Sequence, residues 1–121
     1  MTIEECYQEM GGSYAEVSAR LPSSRLVEKF VTKFLEDQSF EILCREMEAG
    51  NRPEAFRAAH TLKGVCANLS FTRLLGSAAR LTEELRSESA GISDTAFSLL
   101  EEVRRDYQAT AAVIRRYLEE A

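Results

Sequence analysis

The sequence predicts an all-α protein, an antiparallel up-down-up-down four-helix bundle with a short N-terminal helical extension. Three observations predict it. Nearly every segment carries apolar residues at helical spacing, and no stretch alternates convincingly as a strand. Apolar residues make up 45% of the 121 positions, enough for a core at this length. Two prolines and six glycines are few, which argues against disorder and against a sandwich of many turns.

Each element follows from local signals. A short helix from about Ile3 to Met10 stops at Gly11-Gly12. Ser13 caps a second one, which ends before Pro22. From Ser24 to about Asp37, Leu26, Val27, Phe30, Val31, Phe34 and Leu35 form one apolar stripe. From Ser39 to Ala49 the stripe is Phe40, Leu43, Cys44 and Met47, and Gly50 ends it. Asn51-Arg52-Pro53-Glu54 reads as a helix start, with Asn51 as cap, Pro53 in the first turn and Glu54 at the capping-box position. That helix runs to about Ser70. Phe71, Leu74, Leu75, Ala78, Leu81 and Leu85 continue for four turns, and Gly91 breaks the pattern. A last helix from about Ser93 to Glu120 is expected to bury Phe97, Leu100, Val103, Tyr107, Ala111, Ile114 and Leu118. The connections are short, so each stripe is buried against its neighbours. Residues 1–23 form the extension packed on the bundle, and 24–121 form the bundle itself.

Composition narrows the function. A net charge of −5 gives no bulk attraction to nucleic acid or to an anionic membrane. Cys6, Cys44 and Cys66 are scattered and lack C-x-x-C spacing, so they read as small hydrophobes of a reduced cytoplasmic protein. No apolar run approaches the length of a membrane span. The acidic start, Met1-Thr2-Ile3-Glu4-Glu5, has no signal-peptide layout; the natural Met1 suggests a free-standing protein, with a piece excised from a longer chain as the alternative.

The stretch "AAHTLKGVCANLSF" holds the single histidine, His60. On a wheel of about 100° per residue with His60 at zero, Ala55, Ala58, Leu62, Cys66 and Leu69 cluster between roughly 160° and 240°. His60 lies opposite the centre of that face and is expected to point into water from mid-helix. Gly64, one turn on, leaves a bare spot, and Ala67, two turns on, is also small. Phe56, one turn before, is a large apolar residue on the exposed face, with Lys63 and Arg57 flanking the imidazole. A mid-helix glycine costs about 1 kcal/mol relative to alanine. A solvent-facing position gains nothing in packing from it, so something large is expected to approach the backbone beside His60. Imidazole offers a neutral nitrogen nucleophile near neutral pH. From Asn51 to Arg73 there are four basic residues (Arg52, Arg57, Lys63, Arg73) and one acidic residue (Glu54). This basic patch on an acidic protein suits an acidic partner and an anionic group on His60. Each feature alone is ordinary: a lone surface histidine, a solvated lysine, a tolerated glycine, a scattered exposed phenylalanine. Their combination is not.

"HTLKG", His60 to Gly64, on an exposed bundle helix resembles the histidine-containing phosphotransfer, or HPt, domain. "EAGNRPEAFRAAHTLKGVCANLSFTRL" is similar to that family's central hairpin, and "LVEKFVTKFLED" to its preceding helix. "LTEELR" is similar to its third bundle helix, and "YQEMGGSYAEVSARL" to the opening of bacterial free-standing members. The resemblance implies a phosphorelay intermediate in two-component signalling. His60 takes a phosphoryl group, through Nε2, from the aspartyl phosphate of a receiver domain and passes it to another receiver. Lys63 steadies the phosphoryl oxygens, and Gly64 gives steric clearance. Phe56, Arg57, Ala67 and Asn68 line the docking surface. The implied partners are response-regulator receiver domains or a hybrid histidine kinase. The implied protein is a cytoplasmic bacterial monomer, with Mg²⁺ supplied by the receiver and no cofactor of its own. No P-loop or kinase signature is present, so a phosphocarrier without kinase activity is expected. The family usually ends the histidine helix with a glycine ten residues after the histidine. Ser70 stands there, and a continued or differently capped end is expected.

Two other classes share parts of this pattern. A helical adaptor would dock partners through Phe56 and the basic patch without phosphoryl chemistry. A metal or haem bundle is disfavoured, because there is one histidine and Arg57 stands where a Glu-x-x-His pair needs glutamate.

Overall fold

A computed structural model describes residues 1–86 and 91–120; positions 87–90 and 121, the last of the expected bundle, lie outside it. The described residues form seven helices and no strand. These are α1 (Ile3–Glu9), α2 (Tyr14–Arg20), α3 (Ser24–Phe34), α4 (Ser39–Glu48), α5 (Arg52–Leu69), α6 (Thr72–Leu85) and α7 (Asp94–Glu120).

The starts are set by side-chain caps. Thr2 and Glu5 form a capping box on α1, and Ser13, Ser23 and Asn51 accept from the first turns of α2, α3 and α5. Ser93 Oγ accepts from Ala96 N at 3.0 Å at the start of α7. α3 stops at Phe34, a turn short of the expected Asp37. Asp37 instead accepts from Ser39 N at 2.9 Å and opens α4, so its carboxylate serves the next helix rather than ending the previous one.

α5 packs against α4 and α6, α6 packs on α7, and α7 also meets α1, α3 and α4. Buried Val27, Val31, Leu43, Met47, Leu62, Leu74, Leu81, Val103 and Ile114 fill the space between them. An aromatic chain ties the extension to this core. Tyr7 of α1 lies 5.7 Å from Phe71, Phe71 lies 5.0 Å edge-on to Phe34, and Phe34 lies 5.7 Å from Tyr107. Tyr107 in turn stacks on Phe40 at 4.3 Å.

Two expected core aromatics are corrected. Phe30 and Phe97 are 38% and 39% exposed. The buried stripe of α7 is centred on Ala96, Val103 and Ile114, which leaves Phe97 roughly 100° round the wheel from its centre. Thr110 and Tyr117 take the inner positions, while Tyr107 and Leu118 are half-buried.

Candidate functional site

The site is carried by α5. Asn51 Oδ1 accepts from Glu54 N at its start, and Pro53 stands in the first turn, where its missing N–H costs nothing. Ala55, Ala58, Ala59, Leu62, Cys66 and Leu69 are buried. The five expected inner residues are among them, with Ala59 added. That inward face turns His60 outward, and His60 is exposed at mid-helix.

The surroundings of His60 are uneven. A Cβ built on Gly64 would meet nothing within 4 Å, so the space one turn on is open. Lys63 is half-buried beside it. Arg57 is exposed and paired with Glu54 at 3.1 Å, while Thr61 Oγ1 donates to the Arg57 carbonyl at 3.0 Å. Ala67 and Asn68 present their side chains to solvent on the far side.

Phe56 is not an open apolar face. It is half-buried, and its ring lies 6.0 Å from the His60 ring with only 21° between planes. The Arg86 guanidinium covers Phe56 at 5.2 Å from its centroid. Arg52, Pro53, Phe56, Arg57, His60, Leu85 and Arg86 line one groove, so the end of α6 reaches the site. Sequence reasoning missed Arg86, because no local pattern connects it to a histidine in another helix.

The far end of α5 is also built from distant residues. Ser70 adopts the left-handed conformation, φ 56° and ψ 41°. Phe71 N donates to Cys66 O at 2.9 Å, closing the Schellman pattern. The helix thus ends at Leu69, with Ser70 holding the conformation in which glycine is usual. Tyr7 Oη donates to Leu69 O at 2.8 Å, Ser13 N donates to Ser70 O at 2.9 Å, and Arg20 covers the last carbonyls.

The described residues contain no group of three or more histidine, cysteine, aspartate or glutamate side chains placed to hold a metal ion. None of their helices is long and apolar enough to cross a membrane. What the site offers is one nitrogen nucleophile, open space on one side, stacked rings on the other, and cations around both.

A family model for the Hpt domain matches residues 25–113. The chain belongs to the Hpt domain family. The match covers α4, α5 and α6 whole, with most of α3 and α7. Membership implies phosphotransfer in two-component signalling, by a carrier module rather than a kinase. Hpt domains work with receiver domains and histidine kinases. The comparisons with curated proteins and with solved structures each gave no significant match.

Proposed function

We propose that the protein is a phosphorelay intermediate in which His60 accepts a phosphoryl group from a receiver aspartyl phosphate and hands it to a second receiver. The observation that carries the reading is the exposure of His60 at the middle of α5, with open space at Gly64 one turn away. An approaching receiver meets the imidazole without moving a side chain of this chain at that position.

In the proposed step, His60 Nε2 forms a P–N bond as the P–O bond to the receiver carboxylate breaks. The electron pair leaves with the carboxylate oxygen, and the transfer reverses onto the next receiver. Mg²⁺ bound by the receiver neutralises the moving charge. Lys63 holds phosphoryl oxygens, and Phe56, Arg57, Ala67 and Asn68 contribute to docking. The chain itself positions the nucleophile and needs no nucleotide site. The reading takes residues 24–121 as the up-down-up-down bundle, supported by short connections and by the sequential packing of α4, α5, α6 and α7. It places a monomer in a bacterial cytoplasm, served by a hybrid kinase or by separate receivers.

The test is transfer from a phosphorylated receiver with Mg²⁺. Acid-labile, base-stable phosphate is expected on the wild type and absent from His60→Gln. Lys63→Ala is expected to slow transfer or to shorten the phosphohistidine lifetime. Gly64→Gln is expected to fold normally and to block transfer. Cognate receivers that bind the wild type without transferring would make the protein an adaptor instead.

A further inference from the structure

Arg86, Phe56 and His60 form a three-layer stack at one end of the groove. The Arg86 guanidinium lies 5.2 Å from the Phe56 centroid, and the Phe56 and His60 rings lie 6.0 Å apart at 21°. Both separations fall in the attractive range for such pairs. We infer that Arg86 is a positioning residue, which fixes the orientation of the His60 imidazole by clamping Phe56 against it; this rests on the reading of His60 as the phosphoryl acceptor.

An exposed histidine is ordinarily a free rotor, because its terminal torsion is broad. Here Phe56 covers one face of the ring from one turn before, while the space one turn after is open at Gly64. The imidazole is therefore held from one side and left accessible from the other. Transfer through a fixed nitrogen avoids the rotational search that an unrestrained ring must make.

Phe56 alone cannot supply that restraint, since it is itself half-exposed on the surface. Arg86 holds it, and Arg86 is held in turn. Its side chain pairs with Glu83 at 3.2 Å, and its backbone N–H donates to Glu83 O at 3.2 Å. Arg52 Nη1 donates to Leu85 O at 3.1 Å, which ties the last turn of α6 to the first turn of α5. The stack thus links α5 and α6, and within it Arg86 meets Phe56 rather than His60. Arg86 touches only Phe56 in the stack, so it acts through that ring and not on the phosphoryl group.

The experiment measures two quantities in wild type, Arg86→Ala, Arg86→Lys, Phe56→Leu and the double variant Arg86→Ala/Phe56→Leu. The first is the NMR shift of the His60 ring protons, together with tautomer-sensitive ring nitrogen shifts. The second is the rate of transfer from a phosphorylated receiver. Arg86→Ala is expected to move the His60 ring shifts towards those of Phe56→Leu and to slow transfer about tenfold, a positioning-scale effect. Arg86→Lys keeps a cation over the ring and is expected to recover most of both. In the Phe56→Leu background, removing Arg86 is expected to change neither further. Melting temperatures are expected to stay together across the set, so a general loss of structure would not produce this pattern. Unchanged His60 shifts in Arg86→Ala overturn the inference even if transfer is active. Shifts that move as described, with no phosphate on the wild type, sustain the stack and overturn the phosphotransfer reading instead.

Discussion

Arg20 and Ser70, fifty residues apart, meet at the C-terminus of the histidine helix. Arg20 Nη2 donates to the Ser70 hydroxyl and shares its protons with the carbonyls of Ala67 and Asn68, at 3.0 and 2.9 Å. A guanidinium at this end meets the last carbonyls, of which Ala67 O also accepts from Ser70 N at 3.2 Å, and the negative end of the helix dipole. Ser70 is the only non-glycine residue with positive φ among the described residues. Its conformation costs a non-glycine residue roughly 1–2 kcal/mol, and the Arg20 contact offsets part of that.

The two residues are expected to be energetically coupled. Arg20→Ala should lower stability by about 1.5–3 kcal/mol, the worth of hydrogen bonds to a charged group. Ser70→Gly relieves the left-handed strain but loses the hydroxyl, so it should be near neutral in the wild type and clearly stabilising in Arg20→Ala. A double-mutant cycle by urea denaturation measures this, with a coupling of roughly 0.5–1.5 kcal/mol expected. Additive effects would show that Arg20 serves the carbonyls alone.

Two glycines should respond oppositely to alanine. A Cβ on Gly12 would lie 2.8 Å from Ser70 O and 2.9 Å from Tyr7 Cδ2, against a backbone carbonyl and a fully buried ring. Gly12→Ala should cost about 1–3 kcal/mol, as overpacking does. Gly64→Ala meets open space in a helix interior and should gain up to about 1 kcal/mol. Paired thermal melts of the two variants decide the matter.

The three thiols should differ in reactivity. Burial pushes Cys66 up to about 12 and Cys6 up to about 11, with Glu9 adding to the rise at Cys6. Cys44 is also raised by burial, but it is half-buried and Arg104 works against the rise. A disulfide reagent at neutral pH should label Cys44 first, and Cys6 and Cys66 only on unfolding. Mass spectrometry of the labelled peptides reads the order.

Alkali should weaken the fold through those same buried thiols. Above the ordinary thiol value of 9.0, an unfolded chain loses the Cys66 proton while the folded chain keeps it up to about pH 12. The native state then binds more protons, so stability falls as pH rises across that window and is fully present below it. Each such thiol contributes a slope of about 1.4 kcal/mol per pH unit. In urea titrations at several pH values, Cys66→Ala should show a shallower alkaline decline than the wild type, whatever its stability at neutral pH.

The helices and the outward face of α5 were legible because their causes are local. Caps lie within a turn of the helix they start, and the spacing of Ala55, Ala58, Leu62, Cys66 and Leu69 alone turns His60 outward. Residues that act across helices were not legible. Nothing near Phe56 announces Arg86, and nothing near Ser70 announces Arg20. Ser70 shows the limit well. Its position signalled a helix end, but its residue type signalled a changed one, and the compensating guanidinium came from another helix. Phe30 and Phe97 erred for a related reason: an apolar residue at the edge of a stripe satisfies the period without reaching the core.

The borders of the recognisable domain do not coincide with those of the cohesive unit. The family match begins at Arg25 and ends at Val113. Tyr7, Ser13 and Arg20, which fasten the end of the histidine helix, all precede it, and buried Ile114 and Tyr117 follow it. A chimera joined at the recognised edges would keep the histidine helix between α4 and α6 but lose the Tyr7, Ser13 and Arg20 contacts at its end. The N-terminal segment is thus part of what makes the histidine helix rigid, although nothing in it resembles a reactive site.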